Sequence, residues 1–208
     1  MIYFVILILV VTLVNSAHAD RIKVDRIKVD TGVIFFVNPT GDDSRDCRSE
    51  VSPCRTMQRA YERVRSDYDF ATSANCTIKL SDGLYVEGLS MTGTLVGAHV
   101  CHVIGNSANR EAVIVQPLPG KAAFNIQDLA MISVMDLTVQ GEGIIGFYGR
   151  QFSVMDIARV KFGSMPNSIA VSVTDQAGAF WRALAPGMLD RFQVLDDFAR
   201  ELGGRGGT

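Results

Sequence analysis

Apolar and polar positions change their period several times along this chain, and each change predicts an element. Val33, Ile34, Phe35, Phe36 and Val37 form a short apolar run ending at Asn38-Pro39, the mark of a strand entering a turn. A polar loop rich in Gly, Asp and Ser follows. Ser52-Pro53 has the chemistry of a helix start, and Met57, Ala60, Tyr61 and Val64 recur at three- and four-residue spacing. That spacing predicts one buried helical face within residues 33–70, with Arg55, Arg59, Glu62, Arg63 and Arg65 on the solvated side. After Asn75 the period drops to two. Short runs at 76–80, 84–86, 94–96, 100–104, 112–115, 124–126, 132–134, 137–139, 144–147, 152–154, 157–162 and 169–173 alternate with Gly, Asn, Asp and Ser turns. None is long enough for a helix, so 71–175 is expected to be all-β.

From Gln176 the pattern changes again. Met188, Leu189, Phe192, Leu195, Phe198, Ala199 and Leu202 recur at helical spacing opposite Asp190, Arg191, Asp196, Asp197, Arg200 and Glu201, ahead of a Gly-rich tail. The expectation for 176–208 is an amphipathic helix covering the open end of the β region. A helix that docks a partner and a truncated or frameshifted end are the alternatives.

Inside the β region one motif recurs. Ser133-Val134-Met135-Asp136 returns as Ser153-Val154-Met155-Asp156, and Ser172-Val173-Thr174-Asp175 follows, at spacings of twenty and nineteen residues. A period near twenty with short strands predicts a solenoid in which each coil lies on the one before. On that period Val134, Val154 and Val173 form one interior file, and Asp136, Asp156 and Asp175 form one column at a bend. Cys76 and Cys101 open similar runs. One coil apart they would be separated by about 4.8 Å, within disulfide reach. The four cysteines allow three pairings. The expected one is Cys76–Cys101, as a staple between coils, with Cys47–Cys54.

The ends and the composition bear on compartment and partners. Residues 1–14 are apolar apart from Thr12, and Ala17-His18-Ala19 follows. Fourteen helical residues span about 21 Å, short of a hydrocarbon core of about 30 Å. Residues 1–19 therefore read as a secretory signal cut before Asp20, with an uncleaved anchor as the alternative. Residues 20–32 form a charged arm that carries Asp-Arg-Ile-Lys-Val twice. The expected location is secreted or periplasmic, which makes an even cysteine count a disulfide framework. The 208 residues are 48% apolar, and 20 Lys and Arg against 22 Asp and Glu give a net charge of −2. That balance excludes a highly charged disordered tail and a basic nucleic-acid binder. No membrane association is expected after signal cleavage.

Two stretches carry a resemblance. Phe36-Val37-Asn38-Pro39-Thr40-Gly41-Asp42-Asp43-Ser44-Arg45-Asp46, followed by Ser52-Pro53-Cys54-Arg55-Thr56-Met57-Gln58-Arg59-Ala60, resembles the opening of right-handed parallel β-helix proteins of the pectin lyase-like superfamily. The likeness continues through Ile104-Gly105-Asn106 and the Ser-Val-Met-Asp repeats, covering roughly Val33 to Asp175. It implies an all-β fold, a short right-handed parallel β-helix with an N-terminal capping helix. Met57 stands where Ile is common in that opening. Cys47 and Cys54 stand where Gly and an aromatic are common, which supports pairing them.

The resemblance implies little about activity. Lyases of this superfamily hold Ca²⁺ with clustered carboxylates and use Arg or Lys as base, and its hydrolases place Asp residues on successive coils. Asp136, Asp156 and Asp175 with Arg159 are the candidate catalytic set on that basis, with Ca²⁺ as the cofactor a lyase would bring. The structural reading of the same aspartates is a polar residue at each bend, where Asp tolerates unusual backbone angles. Arg150, Arg159 and Lys161 are the basic residues placed to face a sugar. Asp42, Asp43 and Asp46 form an acidic loop without the Gly and distal Glu of an EF-hand, so a solvated cap loop is expected there. His99 and His102 flank Cys101 without a third ligand, which favours packing or surface roles. Asn75-Cys76-Thr77 fits the glycosylation acceptor pattern. The expected function is a non-catalytic carbohydrate-binding or surface-adhesive module whose partner is a polysaccharide or cell-surface glycan. The alternative is a polysaccharide lyase or glycoside hydrolase acting on acidic polysaccharide.

Overall fold

The computed structural model describes residues 32–67, 74–93, 98–175 and 177–182. The expected signal 1–19, the charged arm up to residue 31, the run at 94–96 and the helical spacing at 188–202 lie outside the described residues. So does the His99 side chain.

Strand β1 (Val33–Val37) leads to helix α1 (Met57–Asp67), after which strands come in rotating triplets. These are β2 (Ala74–Leu80), β3 (Gly83–Tyr85) and β4 (Leu89–Thr92), then β5 (Ala98–Ile104), β6 (Val113–Val115) and β7 (Ala122–Gln127). Next are β8 (Met131–Met135), β9 (Thr138–Val139) and β10 (Ile145–Gly149), then β11 (Val154–Ala158), β12 (Lys161–Phe162) and β13 (Ile169–Val173), and finally β14 (Gly178–Arg182). β1 pairs with β2, and from β2 to β11 each strand pairs with the one three further on. The result is three stacked parallel sheets, ordered β1-β2-β5-β8-β11-β14, β13-β10-β7-β4 and β12-β9-β6-β3. β14 pairs in parallel with β11, so the sheet runs past residue 175, where the β region was expected to end.

Parallel sheets need burial, and the interior between these three is filled by files of like residues. In the six-stranded sheet Phe35, Ile78, Val103, Val134 and Ile157 lie in register across successive strands, all buried. In the second sheet the file is Leu89, Phe124, Phe147 and Val171, in which the Phe124 and Phe147 rings stack at 4.9 Å between centroids. Phe162 meets Phe147 edge-on at 6.0 Å.

The register corrects the expected period. Ile132 opposes Met155, 23 residues on, and Phe147 opposes Val171, 24 residues on. A twenty-residue motif therefore slips against the circuit. Val134 sits on Val103 and under Ile157, Val154 opposes Met131, and Val173 belongs to a different sheet, opposite Gly149. The three valines do not form one file. The packing follows which residues face inward, and Ser-Val-Met-Asp recurs in sequence without recurring in position.

The N-terminal end is closed by covalent and polar devices. Both expected disulfides are present, Cys47–Cys54 and Cys76–Cys101, with Cα atoms 4.9 and 4.5 Å apart. Cys76 and Cys101 are direct register partners on β2 and β5, so this disulfide staples neighbouring circuits. The Cys47–Cys54 loop lies along the outer edge of β1. Phe36 N–H donates to the Cys47 carbonyl, Cys54 N–H to the Phe36 carbonyl and Asn38 N–H to the Cys54 carbonyl. These bonds satisfy an edge that would otherwise invite another strand. Gly41 passes so close that a Cβ there would strike the Cys54 carbonyl.

Helix α1 buries Met57, Ala60, Tyr61 and Val64, the face its spacing predicts. It starts at Met57 and not at Ser52-Pro53, because the 52–55 stretch is spent on the β1 edge. Thr56 is the cap: its Oγ1 accepts the Arg59 N–H at 3.1 Å. Asp43 accepts the backbone N–H groups of Arg55 and Thr56 at 2.8 and 2.9 Å, and Thr56 Oγ1–H at 2.9 Å. The acidic loop expected to be merely solvated thus anchors the helix.

Candidate functional site

The candidate aspartates are held at three different places. Asp136 follows β8 at the bend into β9, with φ 60° and 3% exposure. Arg159 occupies the matching bend one circuit later, also at positive φ. Its guanidinium grips the Asp136 carboxylate at both oxygens, Nε to Oδ1 at 2.6 Å and Nη2 to Oδ2 at 2.7 Å. A two-pronged pair of this kind is geometrically specific. The carboxylate hydrogen bond and charge hold Arg159 even more firmly protonated than usual.

Asp175 lies at the opposite corner, after β13, at φ 52°, paired with Arg150 Nε at 3.0 Å. It belongs with Asp128 and Gln151, which also carry positive φ at the turns after β7 and β10. Asp156 sits at the centre of β11, opposite Ser133, which donates to its Oδ2 at 3.3 Å. The expected column of Asp136, Asp156 and Asp175 is therefore not formed. Two of them turn corners and one lies mid-strand. Among the described residues no group of three or more His, Cys, Asp or Glu is arranged to hold a metal ion. The third basic candidate, Lys161, is paired with Glu111 at 2.7 Å.

His102, Ser133 and Asp156 share one outward file of the six-stranded sheet. Burial lowers the His102 pKa against an opposing pull from Asp156. A hydrolytic triad needs the base between nucleophile and carboxylate. Here the serine is in the middle, bonded to the carboxylate and 2% exposed, which does not suit attack on a substrate.

A site that sequence reasoning missed is the outer face of the β4-β7-β10-β13 sheet. Alternation sends Leu89, Met91, Phe124, Ile126 and Phe147 inward. It leaves Ser90, Asn125, Tyr148 and Ser172 in one polar file, with Ser90 exposed, Asn125 and Tyr148 partly exposed and Ser172 covered, and with Thr92 and Gln127 beside it. Arg150 continues that second file. Asn125 Nδ2 donates to Ser90 Oγ at 3.3 Å, and Gln127 Nε2 donates to Asn125 Oδ1 at 2.7 Å. These bonds fix the amides and leave further donor and acceptor capacity free. Tyr148 adds a half-exposed ring with a polar tip. The Asp175–Arg150 pair closes one corner of this strip. The signal was present in sequence as hydroxyl, amide and aromatic residues alternating with apolar ones. Its members are 35, 23 and 24 residues apart, so no fixed-period search lines them up.

Comparison with protein-family models, with curated proteins and with solved structures gives no match. The two disulfides fit an oxidising compartment.

Proposed function

We propose that this chain is an exported, short right-handed parallel β-helix protein of the pectin lyase-like kind, serving as a non-catalytic module that binds a polysaccharide or cell-surface glycan. The observation that carries the reading is the polar strip of Ser90, Asn125 and Tyr148 on adjacent parallel strands, flanked by Thr92 and Gln127. Strands about 4.8 Å apart present a hydrogen-bonding group at intervals close to the length of one sugar residue. Amides and hydroxyls suit sugar hydroxyls, and a tyrosine ring suits the apolar face of a sugar. The secreted or periplasmic location belongs to the same proposal and draws on the disulfides and the expected signal segment.

The enzymatic reading, a lyase or glycoside hydrolase on acidic polysaccharide, draws on the Arg159 guanidinium exposed beside the Asp136 carboxylate. It is the weaker of the two because that carboxylate is engaged at both oxygens. One experiment separates them. The protein is titrated with a panel of neutral and acidic polysaccharides, with and without Ca²⁺, while absorbance of unsaturated products is followed. The module reading expects saturable binding without product, weakened tenfold or more by Tyr148→Ala at an unchanged melting temperature. Product formation abolished by Arg159→Ala would favour the enzyme. Neither binding nor product would remove both readings.

A further inference from the structure

The junction between α1 and the sheets is built from two carboxylates on separate elements. Glu87, in the connection from β3 to β4, accepts the first helical N–H, that of Met57, at 2.8 Å. Asp43, from the loop after β1, accepts the N–H groups just before it. Gln58 Oε1 takes the Ser90 N–H at 3.0 Å and ties the same helical turn to β4. Tyr61 O–H reaches the Thr92 carbonyl at 3.3 Å. The helix is therefore fastened to β4 and its approach by polar bonds at its first turns, and two of the anchoring groups are carboxyls.

We propose that this junction is a pH-responsive latch, in which α1 is held more tightly against the sheets in acid than in mild alkali. Glu87 is the responding group. Burial first, and the Asp43 charge second, push its carboxyl up from 4.5 to about 7, and the Met57 N–H opposes that shift only in part. The other groups facing it are few. Tyr85 on β3 has its hydroxyl raised by burial and by Glu87 itself, so it stays neutral throughout this range. Arg59 on α1 spends its Nε on the Asp43 carbonyl at 3.0 Å.

The sign follows from linkage. A carboxyl whose folded pKa lies above its unfolded value binds its proton more tightly when the junction is closed. The stabilisation is complete below about 4.5 and is lost as pH rises through about 7. Above that, closing the latch means burying a carboxylate beside Asp43. The Met57 N–H keeps the junction formed and does not remove the cost.

The test is amide hydrogen exchange of α1 in the full chain at pH 5.5 and 8.5, corrected for intrinsic exchange rates. In the wild type, protection of the α1 amides relative to those of β7 and β10 falls about tenfold over that range, after allowing for partial solvent screening. Glu87→Gln keeps an oxygen for the Met57 N–H but cannot ionise, so its α1 protection stays level. Asp43→Asn removes the neighbouring charge, so Glu87 ionises more readily, and the midpoint of the loss and the titration midpoint of the Glu87 carboxyl resonance both move to lower pH. A wild-type α1 protection that does not change with pH, or a Glu87→Gln chain with the wild-type slope, overturns the proposal. If Glu87→Gln does not fold, a Glu87 carboxyl titrating near 4.5 in the wild type does the same.

Discussion

The two ends of the described chain reach order by different means. At the N-terminal end the polypeptide is irregular, and its closure depends on particular bonds: the Cys47–Cys54 loop on the β1 edge, Asp43 and Glu87 on the α1 start, and the Cys76–Cys101 staple. From β7 onward the circuits repeat at 23 or 24 residues, and stacked inward files do the holding. The difference shows in burial. Phe35, Val37, Met57 and Ile78 are fully covered, whereas Val160, Ala170 and Val171 in the last circuits retain 6–8% exposure. A capped end hides its core by added chemistry, while a repeated coil hides it only by the next coil.

Substitutions can break this contrast or sharpen it. The largest effect is expected in the repeated part. Phe147→Ala removes a fully buried ring stacked on Phe124, and unfolding in denaturant should show a loss of about 3–5 kcal/mol. A loss under 1 kcal/mol would mean that the files are not what holds the circuits.

The disulfides come next and should differ from each other. A chain-entropy estimate gives roughly 3.5 kcal/mol for the staple that closes 25 residues and roughly 2.4 for the loop that closes seven. Denaturation of the Cys76→Ala/Cys101→Ala and Cys47→Ala/Cys54→Ala chains checks the order. If the short loop mattered more, sealing the β1 edge would outweigh joining circuits. Asp136→Ala should cost about 1–2 kcal/mol, because alanine is poorly suited to positive φ and Arg159 loses its partner. Tyr148→Ala should leave the melting temperature unchanged within error and act on glycan binding alone.

Much of this architecture was legible in the residues, for local reasons. The Met57, Ala60, Tyr61 and Val64 face needed only helical spacing. Most of the β runs needed only alternation and turn residues, and the Cys76–Cys101 pairing needed only two similar runs side by side. The candidate site was less legible because it depends on register. Asp136, Asp156 and Asp175 look equivalent in a twenty-residue repeat, but a 23-residue circuit carries the second motif three places out of step. Ser153 accordingly falls in a turn, where its Oγ accepts the Arg150 N–H. The β7 strip lies 35 residues from its β4 partner because the intervening connections are longer. The start of α1 was misplaced because Glu87 and Asp43 are distant in sequence, and the pull of β1 on Cys54 is a tertiary effect.

The central claim is the register of the circuits, and backbone nuclear Overhauser contacts in the isotopically labelled chain test it most directly. Cross-peaks are predicted between the backbone protons of Ser133 and Asp156 and between those of Phe124 and Phe147. Cross-peaks joining Ser133 to Ser153 and Asp136 to Asp156 instead would contradict it.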